Sequence, residues 1–185
     1  MHEFILGGQK SGKSRAAEAR AARWLQSTGH EAVLIATALA GDAEMAERIA
    51  RHRVERARRV PGLATHEEPH ELATALRQWS APLRLVVVDC LTLWWTQLAM
   101  PLHGPGASPA QLDEACAGVV QALREAHGPV VLVSNEIGLG LAPLSADARR
   151  CVDALGVLHQ RVAGACQRVT LMVAGCELAV KGGPA

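Results

Sequence analysis

One octapeptide constrains this chain more than anything else in it. Gly7-Gly8-Gln9-Lys10-Ser11-Gly12-Lys13-Ser14 follows directly on the apolar run Phe4-Ile5-Leu6. It leads straight into Arg15–Gln26, a stretch of Ala, Glu, Arg and Leu with high helix propensity. Strand, G-x-x-x-x-G-K-S and helix, in that order, form a phosphate-binding loop in its required context. Gly7, Gly8 and Gly12 let the backbone turn tightly enough for several N–H groups to converge on phosphate oxygens. The helix N-terminus adds a favourable field. Lys13 is expected to reach the β- and γ-phosphates, and Ser14 Oγ to ligate Mg²⁺. The ligand this predicts is a nucleoside triphosphate.

The rest of the chain repeats the strand–helix alternation. Ala32–Ala36 reads as a second core strand ending at Thr37, and Asp42–Arg59 as a helix in which Met45 and Ile49 make one apolar stripe. Arg48, Arg51, Arg53, Arg56, Arg58 and Arg59 crowd that helix around His52, and Glu44, Glu47 and Glu55 offset only part of the charge. Such arginines serve as a solvated face, or as a grip on an anionic substrate near a phosphate loop. Val60-Pro61-Gly62 breaks the helix. A short extended piece is expected over Leu63–Glu67 and a helix over Pro69–Trp79. Leu85-Val86-Val87-Val88 has the unbroken apolar character of a parallel strand buried on both sides, and it ends in Asp89. An acid at that place holds Mg²⁺ directly or through water, caps the following helix, or does both.

Leu91–Met100 carries Trp94 and Trp95, as a helix against the sheet or part of a subunit contact, and Pro101–Pro109 reads as a loop. Ala110–His127 predicts a helix, Val130–Val133 a strand, Ile137–Pro143 a loop, Leu144–Gln167 a helix and Val169–Val173 a strand. Leu178–Val180 is a candidate final strand. The strands lack period-two alternation, which predicts an α/β fold: a mostly parallel sheet with helices on both faces, in three α/β/α layers. No repeat or low-complexity linker divides the chain, so residues 1–185 are read as a single nucleotide-binding domain.

Bulk properties exclude other classes. Hydrophobic residues make up 49% of the chain, too many for a disordered one. A formal net charge of +1 gives no reason to expect a nucleic-acid partner or a membrane surface. No apolar run reaches spanning length, no signal peptide precedes the first strand, and the five cysteines form no close pair. A cytoplasmic protein with reduced thiols is the expectation. No grouping of the eight histidines and five cysteines has zinc spacing.

Three further stretches make the reading specific: Arg48-Ile49-Ala50-Arg51-His52-Arg53 followed by Thr65-His66-Glu67; Val88-Asp89-Cys90-Leu91-Thr92-Leu93-Trp94; and Val133-Ser134-Asn135-Glu136-Ile137-Gly138-Leu139-Gly140-Leu141-Ala142-Pro143. With the phosphate loop and the ending Gly156–Gln160 and Val173–Lys181, the chain resembles the bifunctional adenosylcobinamide kinase / adenosylcobinamide-phosphate guanylyltransferase family. The resemblance implies a RecA-like P-loop NTPase fold and a homotrimer with sites near subunit boundaries. It implies two reactions in cobalamin biosynthesis. A nucleoside triphosphate, ATP or GTP, phosphorylates adenosylcobinamide; GMP then passes from GTP to that phosphate through a guanylylated histidine, with release of pyrophosphate.

The resemblance places that histidine at His52. It places nucleotide contacts at Gly7–Ser14, Ala36, Thr37, Ala38, Arg53, Val54, Glu55, Arg56, Glu67 and Asp89. Neutral imidazole is a competent nucleophile toward phosphorus, and nearby arginines would offset charge on the phosphate under attack. Asn135 and Glu136 offer groups of the kind that read a guanine edge, or else cap a strand end. The chain departs from the family pattern in three places. Val60 and Leu63 replace an expected Pro and Trp, the stretch from His52 to Glu67 is longer, and Cys151-Val152-Asp153 stands where Phe-Arg-Asp is usual. A kinase that has lost the transfer step, or a nucleotide-dependent switch, would share the phosphate loop but form no GMP adduct on His52.

Overall fold

The computed structural model describes residues 1–183. Its elements run β1 (Glu3–Gly7), α1 (Lys13–Thr28), β2 (Glu31–Ala36), α2 (Ala43–Arg59), β3 (Leu63–Glu67), α3 (Leu72–Trp79), β4 (Arg84–Asp89), α4 (Leu91–Ala99), α5 (Pro109–Glu125), β5 (Val130–Asn135), α6 (Ala146–Ala165), β6 (Arg168–Val173) and β7 (Cys176–Lys181). The strands form one seven-stranded sheet in the order β3-β2-β4-β5-β1-β6-β7. Every neighbouring pair is parallel except β6 and β7. The parallel pairs require crossovers, and helices supply them.

The continuous apolar strands are explained by burial on both faces. Phe4, Val33, Ile35, Val86, Val88 and Leu132 point to one side, where Leu72, Leu76, Trp94, Leu123, Leu155 and Leu158 of α3 to α6 meet them. Ile5, Leu34, Leu85, Val87, Val131 and Val133 point to the other, where Ala16, Ala17 and Ala21 bring α1 close. Both layers of side chains are nearly inaccessible, which is where most of the apolar stabilisation arises.

Helix boundaries follow local chemistry. Asp42 accepts from Met45 N–H at 2.7 Å and so starts α2 one residue later than its own position. Helix α3 begins at Leu72 rather than Pro69, because the Glu68 carboxylate accepts from His70 N–H at 3.0 Å and Glu71 N–H at 2.9 Å and holds that stretch in a turn. Ser145 caps α6, so Leu144 belongs to the preceding loop. The final strand is longer than its apolar centre. It is antiparallel to β6, and all of its residues are exposed.

None of the described helices is long and apolar enough to cross a membrane. The carboxyl ends of β1, β2, β4 and β5 lie along one edge of the sheet. There the phosphate loop, Thr37, Asp89 and Asn135 emerge side by side, and ligands bind parallel α/β sheets at that edge.

Candidate active site

The phosphate loop is held from below. Gly7 has φ +155°, and a Cβ there would lie 2.5 Å from Met172 O and 2.6 Å from Ser11 Oγ, so only glycine fits between the loop and β6. Ser11 O accepts from Gly175 N–H at 3.0 Å, which ties the loop to the β6–β7 turn. Gly12 is left-handed at φ 104° and opens α1. Lys13, buried, spans the loop, with Nζ 2.6 Å from Gly8 O and 3.5 Å from Ser11 Oγ. Gly8, Gln9 and Lys10 are exposed above it. Burial pulls the Lys13 ammonium below its ordinary pKa, and the neighbouring Asp89 opposes that shift.

Ser14 lies close enough to the Asp89 side chain to favour its charged form, so the first turn of α1 and the end of β4 stand next to one another. Burial raises the Asp89 pKa, while Ser14, Arg56 and His52 work the other way. A hydroxyl and a carboxylate side by side make a hard-oxygen donor pair, which suits Mg²⁺ with its remaining ligands from phosphate and water. The Cys90 thiol beside them is buried and pushed up to about 12, so it stays protonated.

His52 is exposed on α2, one turn before Arg56. Arg56 is the only buried residue of α2, with Asp89 and Glu18 supplying opposite charge. The lengthened segment leaves open which of Arg56, Arg58 and Arg59 faces phosphate. The structure buries Arg56 and commits Arg59 to Glu18 at 2.8 Å and Glu55 at 3.1 Å. Arg53 pairs with Glu67 at the end of β3, both half-exposed, and Val54 faces solvent.

Of the residues at the end of β2, Ala36 and Ala38 are half-buried, and Thr37 is fully buried with its side chain already used. Its Oγ1 donates to Cys90 O and accepts from Cys90 N–H, both at 2.8 Å, and its own N–H donates to Asp89 O at 3.1 Å. Thr37 thus clamps the end of β2 to the end of β4; a ligand can reach only its neighbours.

Sequence reasoning missed a buried polar chain on the other side of Asp89. Thr92 Oγ1 lies 2.9 Å from Ser134 Oγ, which lies 2.8 Å from His159 Nε2. The His159 Nδ1 faces Glu136 Oε2 at 3.7 Å. Glu136 Oε1 accepts from Gly138 N–H at 2.6 Å, so this carboxylate is engaged with the start of the following loop. Among the described residues the Asn135 side chain makes no hydrogen bond; its backbone sits opposite Gly7 in the β1–β5 register. No local pattern marks His159, since its partners lie on other elements.

Comparison with known proteins decides among the readings of this site. A profile of the family described as "Cobinamide kinase / cobinamide phosphate guanyltransferase" matches residues 3–180. The chain belongs to that family. It is 46% identical over 184 residues to the "Bifunctional adenosylcobalamin biosynthesis protein CobP" of Pseudomonas aeruginosa, covering 100% of this chain and 99% of the relative. It is 32% identical over 186 residues to the "Bifunctional adenosylcobalamin biosynthesis protein CobU" of Salmonella typhimurium, covering 96% and 98%. Two solved structures share the fold. They are flagellar accessory protein FlaH of Methanocaldococcus jannaschii (TM-score 0.53, 12% identity, 98% of this chain and 78% of that one) and a KaiC-like protein of Pyrococcus horikoshii (0.52, 14%, 92% and 69%). The mostly parallel α/β sheet layered by helices, expected from the sequence, is the one observed, and it is the fold these P-loop structures share.

Proposed function

We propose that this chain carries out both reactions of its family at the carboxyl edge of the sheet: phosphorylation of adenosylcobinamide, then formation of adenosylcobinamide-GDP through a guanylylated His52. What supports the reading is the juxtaposition of the phosphate loop with the end of β4: Lys13 is buried in the loop, Ser14 lies next to Asp89, and α2 turns Arg56 inward while carrying His52 four residues earlier on its exposed side.

In the first reaction the phosphate loop N–H groups and Lys13 hold the β- and γ-phosphates of ATP or GTP. The acceptor hydroxyl oxygen attacks the γ-phosphorus, the bond to the bridging oxygen breaks, and the nucleoside diphosphate leaves. Ser14 and Asp89 would hold Mg²⁺, which supplies charge neutralisation on the phosphates.

In the second reaction a neutral imidazole nitrogen of His52 bonds to the α-phosphorus of GTP, and pyrophosphate departs. A phosphate oxygen of adenosylcobinamide phosphate then attacks the same phosphorus, the P–N bond breaks and the imidazole is restored. Two anionic reactants meet in this step. Arg56, buried beside Asp89, and Arg53, at the open face, are placed to offset their charge. The other nucleotide contacts that the resemblance implies, Ala36, Ala38, Val54, Glu55 and Glu67, come from the ends of β2 and β3 and from α2. We also propose that the active form is a cytoplasmic homotrimer without a nucleic-acid partner, as the family resemblance implies.

The test is incubation with α-labelled GTP and Mg²⁺, followed by mapping of protein-bound label. Acid-labile label on His52, absent from H52A, is expected. Equal incorporation into H52A would remove His52 from the reaction.

A further inference from the structure

The buried chain beside Asp89 has a direction. Thr92 Oγ1 accepts from Asn135 N–H at 2.8 Å, which leaves its own proton for Ser134 Oγ at 2.9 Å. Ser134, fully buried, then has its proton for His159 Nε2 at 2.8 Å. Nδ1 faces the Glu136 carboxylate, an acceptor only, at 3.7 Å, which favours the tautomer protonated on Nδ1 and leaves Nε2 to accept from Ser134. The imidazole is 7% exposed and packs edge-on against Phe4 of β1, ring centroids 5.5 Å apart. The chain thus joins the first turn of α4, just past Asp89, to the end of β5 and to α6.

Its far end controls a loop. Glu136 is the first residue after β5. Its N–H donates to Gly7 O at 2.9 Å, at the base of the phosphate loop, and its carboxylate accepts from Gly138 N–H at 2.6 Å while its other oxygen lies 3.7 Å from His159 Nδ1. From that point residues 136–145 run out to α6 with Leu139, Leu141 and Leu144 almost fully exposed. The loop leaves the sheet between the phosphate loop and Asp89. An acceptor hydroxyl must come from in front of that place to reach a γ-phosphate in line.

We infer that His159 is a positioning residue for the kinase reaction: through Glu136 it fixes the base of loop 136–145 as the acceptor-side wall of the site, and it touches neither nucleotide nor acceptor. The role needs the neutral ring. Burial keeps His159 below its ordinary pKa, and Glu136 is the charged group that opposes this. A second proton on Nε2 would reverse the bond to Ser134 and break the order of the chain. The inference rests on the kinase activity proposed above.

Two measurements on the full chain separate the inference from that reading. Amide hydrogen exchange reports the tether alone. In H159L, residues 136–145 should exchange about tenfold faster, from the loss of one buried hydrogen-bonded partner, while the phosphate loop stays protected. Unchanged exchange in the loop would overturn the inference whatever the enzyme's substrate is. Steady-state phosphorylation of adenosylcobinamide reports the role. H159L should raise KM for the acceptor about tenfold and leave KM for the nucleotide where it was.

H159Q can accept from Ser134 and donate to Glu136 without titrating. It should recover the acceptor KM and lack the acid-side rise in that KM expected of the wild type. Should H159L fail to fold, E136A removes the same link from the solvent side and is expected to give the same acceptor effect, with no further loss in H159Q/E136A. A wild-type acceptor KM in E136A, a joint rise of both KM values in H159L, or H159Q no better than H159L would each overturn the assignment.

Discussion

The phosphate loop and helix α2 supply the two halves of the site, and the fold holds them in opposite ways. The loop is built into the core. Gly7 is pressed against Met172, Ser11 is tied to Gly175, and Lys13 is buried. Helix α2 has one buried residue over its length, Arg56, and is fastened by charge at its C-terminal end, through Arg59 to Glu18 and Arg53 to Glu67. A preformed cradle suits phosphate binding, where donors must already point at the anion. A polar helix anchored at one end suits a nucleophile that must first take a nucleotide fragment and then present it to a second substrate. The same contrast separates what a substitution does: in the loop it acts on geometry, in α2 on charge.

The largest expected effect tests the cradle. K13A should slow phosphorylation of adenosylcobinamide about 100-fold or more, the scale of losing one preorganised donor to a developing charge. Phosphorylation at the wild-type rate would show that Lys13 does not reach the transferred group. The contrast with α2 is sharpest in H52A, which should lose the GMP adduct while its kinase step falls far less than that of K13A. If both variants lose both reactions together, the two halves are not separable as described.

A smaller effect is carried by pH. Burial lowers the Lys13 pKa, so its positive charge is lost on the alkaline side before an ordinary lysine would lose it, below 10.5. The alkaline limb of kcat/KM for the nucleotide, which reports the free enzyme, should therefore fall below that value. A limb at or above it would mean that Asp89 outweighs burial.

Much of the fold was legible because burial on both faces leaves an unmistakable mark. Leu85–Val88 and Val130–Val133 had no other reading in a chain that opens with a phosphate loop. Strand β7 was harder: Leu178 and Val180 are apolar, yet they are exposed at a sheet edge, so neither alternation nor burial advertises their length. Within the site, the meeting of Ser14 and Asp89 followed from motif and strand position alone. Thr37 looked like a contact to ligand and is a clamp between two strands, a distinction that depends on where its hydroxyl points. His159 was illegible in physical terms because the groups that give it meaning are brought to it by three different crossovers.

The anchoring of α2 is tested by R59A. Glu18 has a side chain only 6% exposed, and without Arg59 it would keep a buried carboxylate short of its main partner. Such a loss amounts to about 1–3 kcal/mol, which a thermal or denaturant midpoint resolves. Transfer of GMP to His52 should fall more than cobinamide phosphorylation, since the cradle does not depend on Arg59. Equal falls in both reactions would mean that Glu18 supports α1 and the phosphate loop as much as α2.

The smallest effect on stability, and the finest division of the helix, comes from Arg53. Its pair with Glu67 is about half-exposed on both sides, so solvent already screens it, and R53A should change stability by about 0.5 kcal/mol or less. A structural role therefore predicts almost nothing for this variant. A role in gathering charge around the α-phosphate predicts slower labelling of His52, with a stronger dependence on salt than in the wild type. Arg53 sits one residue from His52, at the open side of the site, while Arg56 occupies the buried side. A drop in GMP transfer with an unchanged midpoint would assign Arg53 to the reaction; a variant silent in both would leave Arg56 as the arginine that meets the anion.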